Sequence, residues 1–432
     1  MRLSRHTLVA LAALWLGALA GAAATFLTQV VQARVLGPAD YGLFAAAWSG
    51  VSLAAPLAGL GLAPLWLRRY GEEGYQAHRW LPGSYRFAAL STALVTAGLL
   101  AWAAGGAPPG AGLVVALLAG QVAAQLGLEL AAARLQLEER YRTLAVLQAA
   151  PPWLRLGLLG GLLGLTGPAV SAPQVAGVWL VVALLTLGLT LVWAHPGALR
   201  RLQLRGHAPA AAPAAPVATP SGRAVARAAW PYGLGSLFYL IYFQSDILLL
   251  SLLVDTAAAG VYQVAFVALV GVYLLPTALV QKYLQPKLHR WAHHDRDRFH
   301  QAYRTSVRVL AGLGVLAGLA LWGLAPPLIH LLFGDAYAGA GALLRVLACA
   351  VPFRFVATGL GAVLSTREHI HRKVRFMGVT AALNVALNLA LIPAFAATGA
   401  AVATVISDLV LTLLYWRGLR RLVFPPPTPR GA

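Results

Sequence analysis

The sequence predicts an all-α integral membrane protein of about twelve transmembrane helices, arranged as two six-helix halves. Three observations predict it. The chain has 432 residues, 59% hydrophobic and only 11% charged, with a mean hydropathy of +0.72, a composition outside the range of ordinary soluble domains. Its apolar residues gather in about twelve stretches, each near the roughly 20 residues that a spanning helix needs. Lys and Arg fall in every second gap between those stretches, as expected where basic residues mark cytoplasmic loops.

In chain order the first six stretches cover 8–31, 41–66, 87–104, 112–133, 143–163 and 175–193. The second six cover 232–254, 260–284, 307–325, 340–364, 376–393 and 399–416. Arg2 and Arg5 precede the first stretch, and Arg68, Arg69, Arg79 and Arg86 follow the second. Arg134, Arg140 and Arg142 follow the fourth; Arg200, Arg201, Arg205, Arg223 and Arg227 follow the sixth. Lys282 at the end of the eighth, Lys287, Arg290, Arg296, Arg298 and Arg304 after it and Arg308 at the start of the ninth mark the next gap, and Arg367, Arg372, Lys373 and Arg375 follow the tenth. Arg417, Arg420, Arg421 and Arg430 close the chain, while the alternate gaps hold Arg34 alone. Both termini are therefore expected in the cytoplasm, in a multi-pass protein of the cell (inner or plasma) membrane. The opening Arg2, Arg5, apolar run and small residues Ala20 to Ala24 imitate a signal peptide. The apolar run continues through Phe26, Leu27, Val30 and Val31, so an uncleaved first helix is expected.

The longest polar segment divides the chain into a lobe over 1–195, a basic linker over 196–229 and a lobe over 230–432. The linker's middle, Ala208 to Pro216, alternates alanine and proline and reads as a semi-extended connector. Both halves start on the same side, so an internal repeat would run parallel, about an axis along the membrane normal. Asp40-Tyr41-Gly42-Leu43-Phe44 opens the second stretch and Ala259-Gly260-Val261-Tyr262 opens the eighth. Arg134, Arg140 and Arg142 match Arg367, Lys373 and Arg375 in the corresponding gap.

Ionisable side chains inside a spanning helix cost roughly 2.5–3.5 kcal/mol each and so face a cavity or a partner. The candidates are Glu129, Arg155, Asp246, Arg345, Arg354 and Asp408. Arg155 and Arg354 lie near mid-helix, after Pro151-Pro152 and Pro352, where proline frees backbone carbonyls. Arginine presents a planar fork suited to phosphate. Two readings stay open: the pair faces an anionic substrate, or each arginine pairs with Asp246 or Asp408 and holds helices together. Arg345, nearer a helix end, is a further cavity candidate that can also snorkel to the surface. Polar stripes recur at helical spacing: Thr25, Gln29 and Gln32; Gln121, Gln125 and Glu129; Tyr239, Tyr242 and Asp246; Asn384 and Asn388. Of these, Gln29, Gln125, Tyr239, Tyr242 and Asn388 are expected to line a substrate cavity. Asp246, Asp408 and Glu129 are expected to couple an ion or pair a charge.

Other chemistries are excluded or disfavoured. The formal charge of +20 belongs to cytoplasmic loops, so no nucleic-acid partner is expected. Cys349, the one cysteine, allows no intrachain disulfide. A P-loop is absent, no cofactor is expected, and the basic-loop cluster His289, His293 and His294 lacks the carboxylate or thiolate that would complete a metal site. The outer gaps are short, which argues for carriage rather than catalysis.

The segment Ala33-Arg34-Val35-Leu36-Gly37-Pro38-Ala39-Asp40-Tyr41-Gly42-Leu43 resembles the first-loop signature of Wzx-type polysaccharide flippases. So do Pro231 through Asp246-Ile247-Leu248-Leu249-Leu250 to Gly260-Val261-Tyr262, and Leu332-Phe333-Gly334-Asp335-Ala336-Tyr337. The run from Asn384 and Asn388 through Leu391-Ile392-Pro393 to Gly399-Ala400-Ala401-Val402-Ala403-Thr404 completes the set. These motifs are similar to those of the multidrug/oligosaccharidyl-lipid/polysaccharide exporter superfamily over nearly the whole chain. The resemblance implies a V-shaped, two-lobed bundle that moves a lipid-linked oligosaccharide to the outer leaflet by alternating access. It implies a polyprenyl-pyrophosphate-linked glycan as substrate, and glycosyltransferases and a glycan polymerase as partners. Two other readings stay open: a cation-coupled small-molecule or drug exporter of the same superfamily, and a membrane enzyme of glycan assembly.

Overall fold

In the computed structural model, residues 5–199, 201–204, 218–280, 296–364 and 370–422 are described. The histidine cluster 289–294, the linker's middle and several of its basic residues lie outside them. Among the described residues the chain is helical, without strands. The helices are α1 (Arg5–Ala54), α2 (Leu62–Glu73), α3 (Leu81–Gly105), α4 (Gly112–Leu118), α5 (Gly120–Leu137), α6 (Tyr141–Thr166), α7 (Ala172–Ala194) and α8 (Pro196–Leu199). After the linker come α9 (Gly222–Leu253), α10 (Thr256–Leu279), α11 (Arg296–Phe333), α12 (Gly339–Ala348), α13 (Val351–Val363) and α14 (Ile370–Leu422).

The described parts of the twelve apolar stretches lie mostly on these helices, although their breaks differ from a simple one-to-one count. The first stretch and most of the second share α1, which breaks at Gly37 (φ 70°, ψ 174°), a backbone conformation open to glycine, and the second stretch ends in α2. The last two share α14, broken at Ala396 (φ 48°). The fourth is split between α4 and α5, and the tenth between α12 and α13, which meet at 46°. By length and apolar composition alone, seven helical runs among the described residues can cross a membrane, or eight with that bent pair. Two of the seven, Leu14–Gly105 and Ile370–Arg421, contain several of the stretches in succession. Helix α6, with Pro151, Pro152 and Arg155 in its middle, is not among them.

The chain folds as two compact units, one of Met1–Leu36 with Leu43–Leu240, the other of Gly37–Gly42 with Ile241–Ala432. In the first, the core is built from the inward faces of α1 to α7, centred on Trp66, Leu118, Val122 and Leu135. The buried indole of Trp66 donates to Ser84 Oγ at 3.0 Å, which satisfies its one polar atom. The described ends of the polar linker pack on this same unit. Tyr85 donates to the carbonyl of Ala194 just before the linker, His78 Nε2 lies 3.0 Å from that of Leu199, and Leu204 N–H donates to Tyr75 Oη at 3.0 Å. Helix α9 starts at Gly222, inside the segment expected as linker, and buries Val225 and Ala229.

The second unit owes its tightest approach to two glycines. A Cβ on Gly42 would lie 1.7 Å from the carbonyl oxygen of Thr256, and one on Gly260 would lie 2.1 Å from that of Pro38. These are the glycines at matching places in the two halves of the sequence, and they meet each other. Buried Tyr41 sits edge-on to buried Tyr337, ring centroids 6.3 Å apart. Along α11, Gly314 and Gly318 make room for Pro352, Phe355 and the carbonyl of Ala348 on the bent α12–α13 pair.

Candidate functional site

Two polar clusters stand out, one in each unit. In the first unit, Arg155 projects from the middle of α6, just after the two prolines. Pro151 and Pro152 offer no N–H to the preceding turn and locally loosen the helix there. The guanidinium lies over the indole of Trp179 on α7, 4.2 Å from the ring centroid. Its Nη2 donates to Gln121 Oε1 on α5 at 3.0 Å. Gln121 is itself held by donating from Nε2 to the carbonyl of Trp179 at 2.7 Å. Trp179 is wedged edge-on between Trp48 and Phe44, at 4.6 and 5.3 Å. Among the described residues no carboxylate lies within ion-pair distance of Arg155, and its buried Nε has no hydrogen-bond partner. The charge is thus held by neutral groups, which position it without cancelling it.

In the second unit, α9 and α14 carry two fully buried carboxylates in reciprocal positions. Asp246 accepts from Tyr262 Oη at 2.7 Å and Thr404 Oγ1 at 2.6 Å on one oxygen, and from Asn388 Nδ2 at 2.5 Å on the other. Asn388 Nδ2 also donates to Asn384 Oδ1 at 3.1 Å, which accepts from Ser245 Oγ at 3.0 Å. Every one of these partners is neutral. One helical turn away, Asp408 accepts from Tyr242 Oη at 2.6 Å and Tyr273 Oη at 3.1 Å, and pairs with Arg354 Nε at 3.3 Å. The Arg354 guanidinium is walled by the rings of Tyr242, Phe243 and Tyr273, at 4.9, 4.7 and 5.1 Å. Tyr242 therefore precedes Asp246 by one turn and serves Asp408, while Thr404 precedes Asp408 by one turn and serves Asp246.

Set against the sequence expectations, the two mid-helix arginines diverge. Arg354 takes the pairing alternative, with Asp408; Arg155 meets neither aspartate. Tyr242 and Asn388, expected on a cavity wall, are buried and bonded to carboxylates, as unsolvated oxygens in a packed core draw in nearby donors. Tyr239, in the first unit, is 46% exposed. Gln125 donates to Glu129 Oε1 at 3.3 Å, on an exposed part of α5. Gln29 is half-buried on α1. Arg345 is exposed, stacked over Trp322 at 5.1 Å with Nε donating to that residue's carbonyl at 3.3 Å. The residues that sequence reasoning left out are Trp179, Tyr262 and Tyr273. The two tyrosines lie eleven residues apart on α10, three helical turns, which puts both on one face. That spacing was the available signal. Trp179 gave none, since tryptophan in a spanning helix is ordinarily apolar filling.

The family match and the fold together place the protein among the flippases of the multidrug/oligosaccharidyl-lipid/polysaccharide exporter superfamily. The fold agrees with solved members. It matches an inward closed lipid II flippase MurJ with TM-score 0.73 and 12% identity, over 94% of this chain and 87% of that one. It matches an inward-facing multidrug resistance MATE family transporter with TM-score 0.67 and 14% identity, over 93% and 94%. The family model described as lipid II flippase MurJ covers residues 168–428, more than half of the chain, and the chain belongs to that family. The chain is also similar to the probable flippase AglR of Haloferax volcanii, with 30% identity over 214 residues, 48% of this chain. It spans 44% of the length of that relative.

Proposed function

We propose that the protein flips a lipid-linked oligosaccharide, carried on polyprenyl pyrophosphate, from the cytoplasmic to the outer leaflet for surface-glycan synthesis. The family membership and the likeness to a probable flippase support this reading. The observation that carries it is Arg155, a guanidinium in the middle of α6 held only by neutral partners. A permanent charge in that setting is costly, and an anionic headgroup offsets the cost only while bound, which suits a carrier. The polyprenyl tail stays in lipid while the sugar–pyrophosphate head crosses. The two halves, 1–195 and 230–432, joined by 196–229, act as the rocking lobes of an alternating-access cycle, with both termini cytoplasmic. No bond of the glycan is made or broken; glycosyltransferases and a polymerase act before and after it.

Asp246 is the coupling group in this proposal. It is a buried carboxylate without a cationic partner, beside an Asn388 Oδ1 that lacks a donor, and a proton or monovalent cation completes it. Such an acid also suits a cation-coupled exporter, but the uncompensated Arg155 would repel a cationic drug.

The test is a leaflet-accessibility assay on protein reconstituted in vesicles with a pyrophosphate-linked glycolipid. Arg155→Ala is expected to slow transfer at least tenfold, about 1.4 kcal/mol or more, while inserting normally. Transfer at the wild-type rate would remove Arg155 from the mechanism.

A further inference from the structure

Arg345 is a guanidinium on an otherwise apolar, exposed face of the second unit. It reaches from α12 onto α11, and both lie in helical segments apolar enough to cross a membrane. On α11, Val315, Leu319, Trp322 and Pro326 are exposed and fall at helical spacing, so they share one face. Such a face on a membrane-crossing helix meets lipid chains. Trp322 lies well inside this helix, which ends at Phe333, about 16 Å further on at 1.5 Å per residue. A snorkelling arginine would extend toward the loop that joins the two helices. Arg345 is turned to Trp322 instead, 5.1 Å from its ring centroid, with Nε donating to that residue's carbonyl at 3.3 Å. The carbonyl needs a donor because Pro326, one turn on, has no N–H to give it.

A neutral amide would serve that carbonyl equally well. Arginine adds a permanent charge and the N–H groups of both Nη nitrogens. Among the described residues those nitrogens have no partner. Nor does a carboxylate balance the charge. Asp335, the one acidic residue within 304–364, is engaged by His330 Nδ1 at 2.6 Å. Ring and carbonyl thus fix a guanidinium plane whose fork is left open on the exposed surface.

We propose that Arg345 and Trp322 form a docking point for the phosphate of a bilayer phospholipid on the membrane-facing surface of the second unit. The match is one of charge and shape: a phosphate is the anion that lipid brings to such a face, and the guanidinium fork takes its oxygens in pairs. The indole offers an apolar body for the adjoining acyl chains. Holding a phosphate at this depth draws the headgroup and its water inward and thins the leaflet beside α11 and α12. On the topology proposed above this is the outer leaflet, so a headgroup leaving the carrier there crosses less hydrocarbon. The leaflet assignment rests on that topology; the lipid site does not.

Cys349, the one cysteine, is exposed one turn beyond Arg345 and accepts a fluorophore. The experiment is quenching of that fluorophore in phosphatidylglycerol nanodiscs doped with a phospholipid spin-labelled at its headgroup or at mid-chain. With Arg345 in place both labels are expected to quench, the headgroup label about as strongly as the chain label. Arg345→Gln, which keeps a donor for the Trp322 carbonyl, is expected to lose at least half of the headgroup quenching and to retain the chain quenching. A second measurement needs no substitution. Phosphatidylglycerol is expected to raise the unfolding temperature of delipidated wild-type protein several degrees more than a diacylglycerol with the same chains. Absence of chain quenching, headgroup quenching unchanged in Arg345→Gln, or equal thermal shifts with the two lipids would overturn the proposal. Displacement of the headgroup label by equimolar polyprenyl phosphate would overturn it in favour of the carrier lipid as occupant. Neither measurement involves transport, so failure here and failure of the flippase reading are told apart.

Discussion

Asp246 and Arg155 show how single residues acquire opposite duties from neutral surroundings. Each is an ionisable group in a membrane-embedded unit, and each is surrounded by neutral partners. For Asp246 the partners are donors that hold its carboxylate in place. Asp246→Asn is expected to preserve the fold, since an amide can still accept from Tyr262 or Thr404. It is expected to make transport indifferent to the coupling ion, as measured by glycolipid transfer across imposed proton or sodium gradients. A gradient response that survives the substitution would dismiss Asp246 as the coupling group. Tyr262→Phe removes one charge-assisted hydrogen bond, worth about 1.5–3 kcal/mol, and is expected to lower the unfolding temperature. The arginines and aspartates themselves were legible in the sequence, because charge is conspicuous in an apolar run. Their pairing was not: which aspartate meets Arg354 depends on how α9, α13 and α14 pack, and no local pattern encodes that.

At the level of elements, the breaks are as informative as the helices. Gly37 sits at φ 70°, where its lack of a Cβ removes the steric penalty, and the neighbouring Gly42 admits the carbonyl of Thr256. Gly42→Ala would drive a methyl into that carbonyl, and overpacking of this kind costs about 1–3 kcal/mol; reduced stability of the purified variant checks it. Ala396 holds φ 48° without being glycine, so Ala396→Gly is expected to stabilise the protein by about 1 kcal/mol, read as a raised unfolding temperature. An unchanged or lower temperature would mean the kink is not strained. The apolar stretches were readable with soft boundaries, since hydropathy registers length well. The merging of stretches within α1 and α14, and the splitting of the fourth and tenth, were not readable. They arise from one or two backbone angles rather than from composition.

For the molecule as a whole, the alternation of basic gaps led to the expectation of two halves, 1–195 and 230–432, while the chain forms two compact units with other bounds. The contact pattern places the described parts of 196–240 with the first unit and Gly37–Gly42 with the second, and sequence order alone carries no such information. An inside-negative membrane potential favours outward movement of an anionic headgroup by about 2.3 kcal/mol per charge per 100 mV. Transfer towards the outer leaflet is therefore expected to accelerate when a potassium-diffusion potential, negative inside, is imposed on the vesicles, and to slow when its sign is reversed. The most direct measurement is transfer of a polyprenyl-pyrophosphate-linked oligosaccharide between leaflets of vesicles containing the purified wild-type protein. Leaflet exchange well above that of protein-free vesicles is the predicted result; a rate equal to the protein-free background would contradict the account.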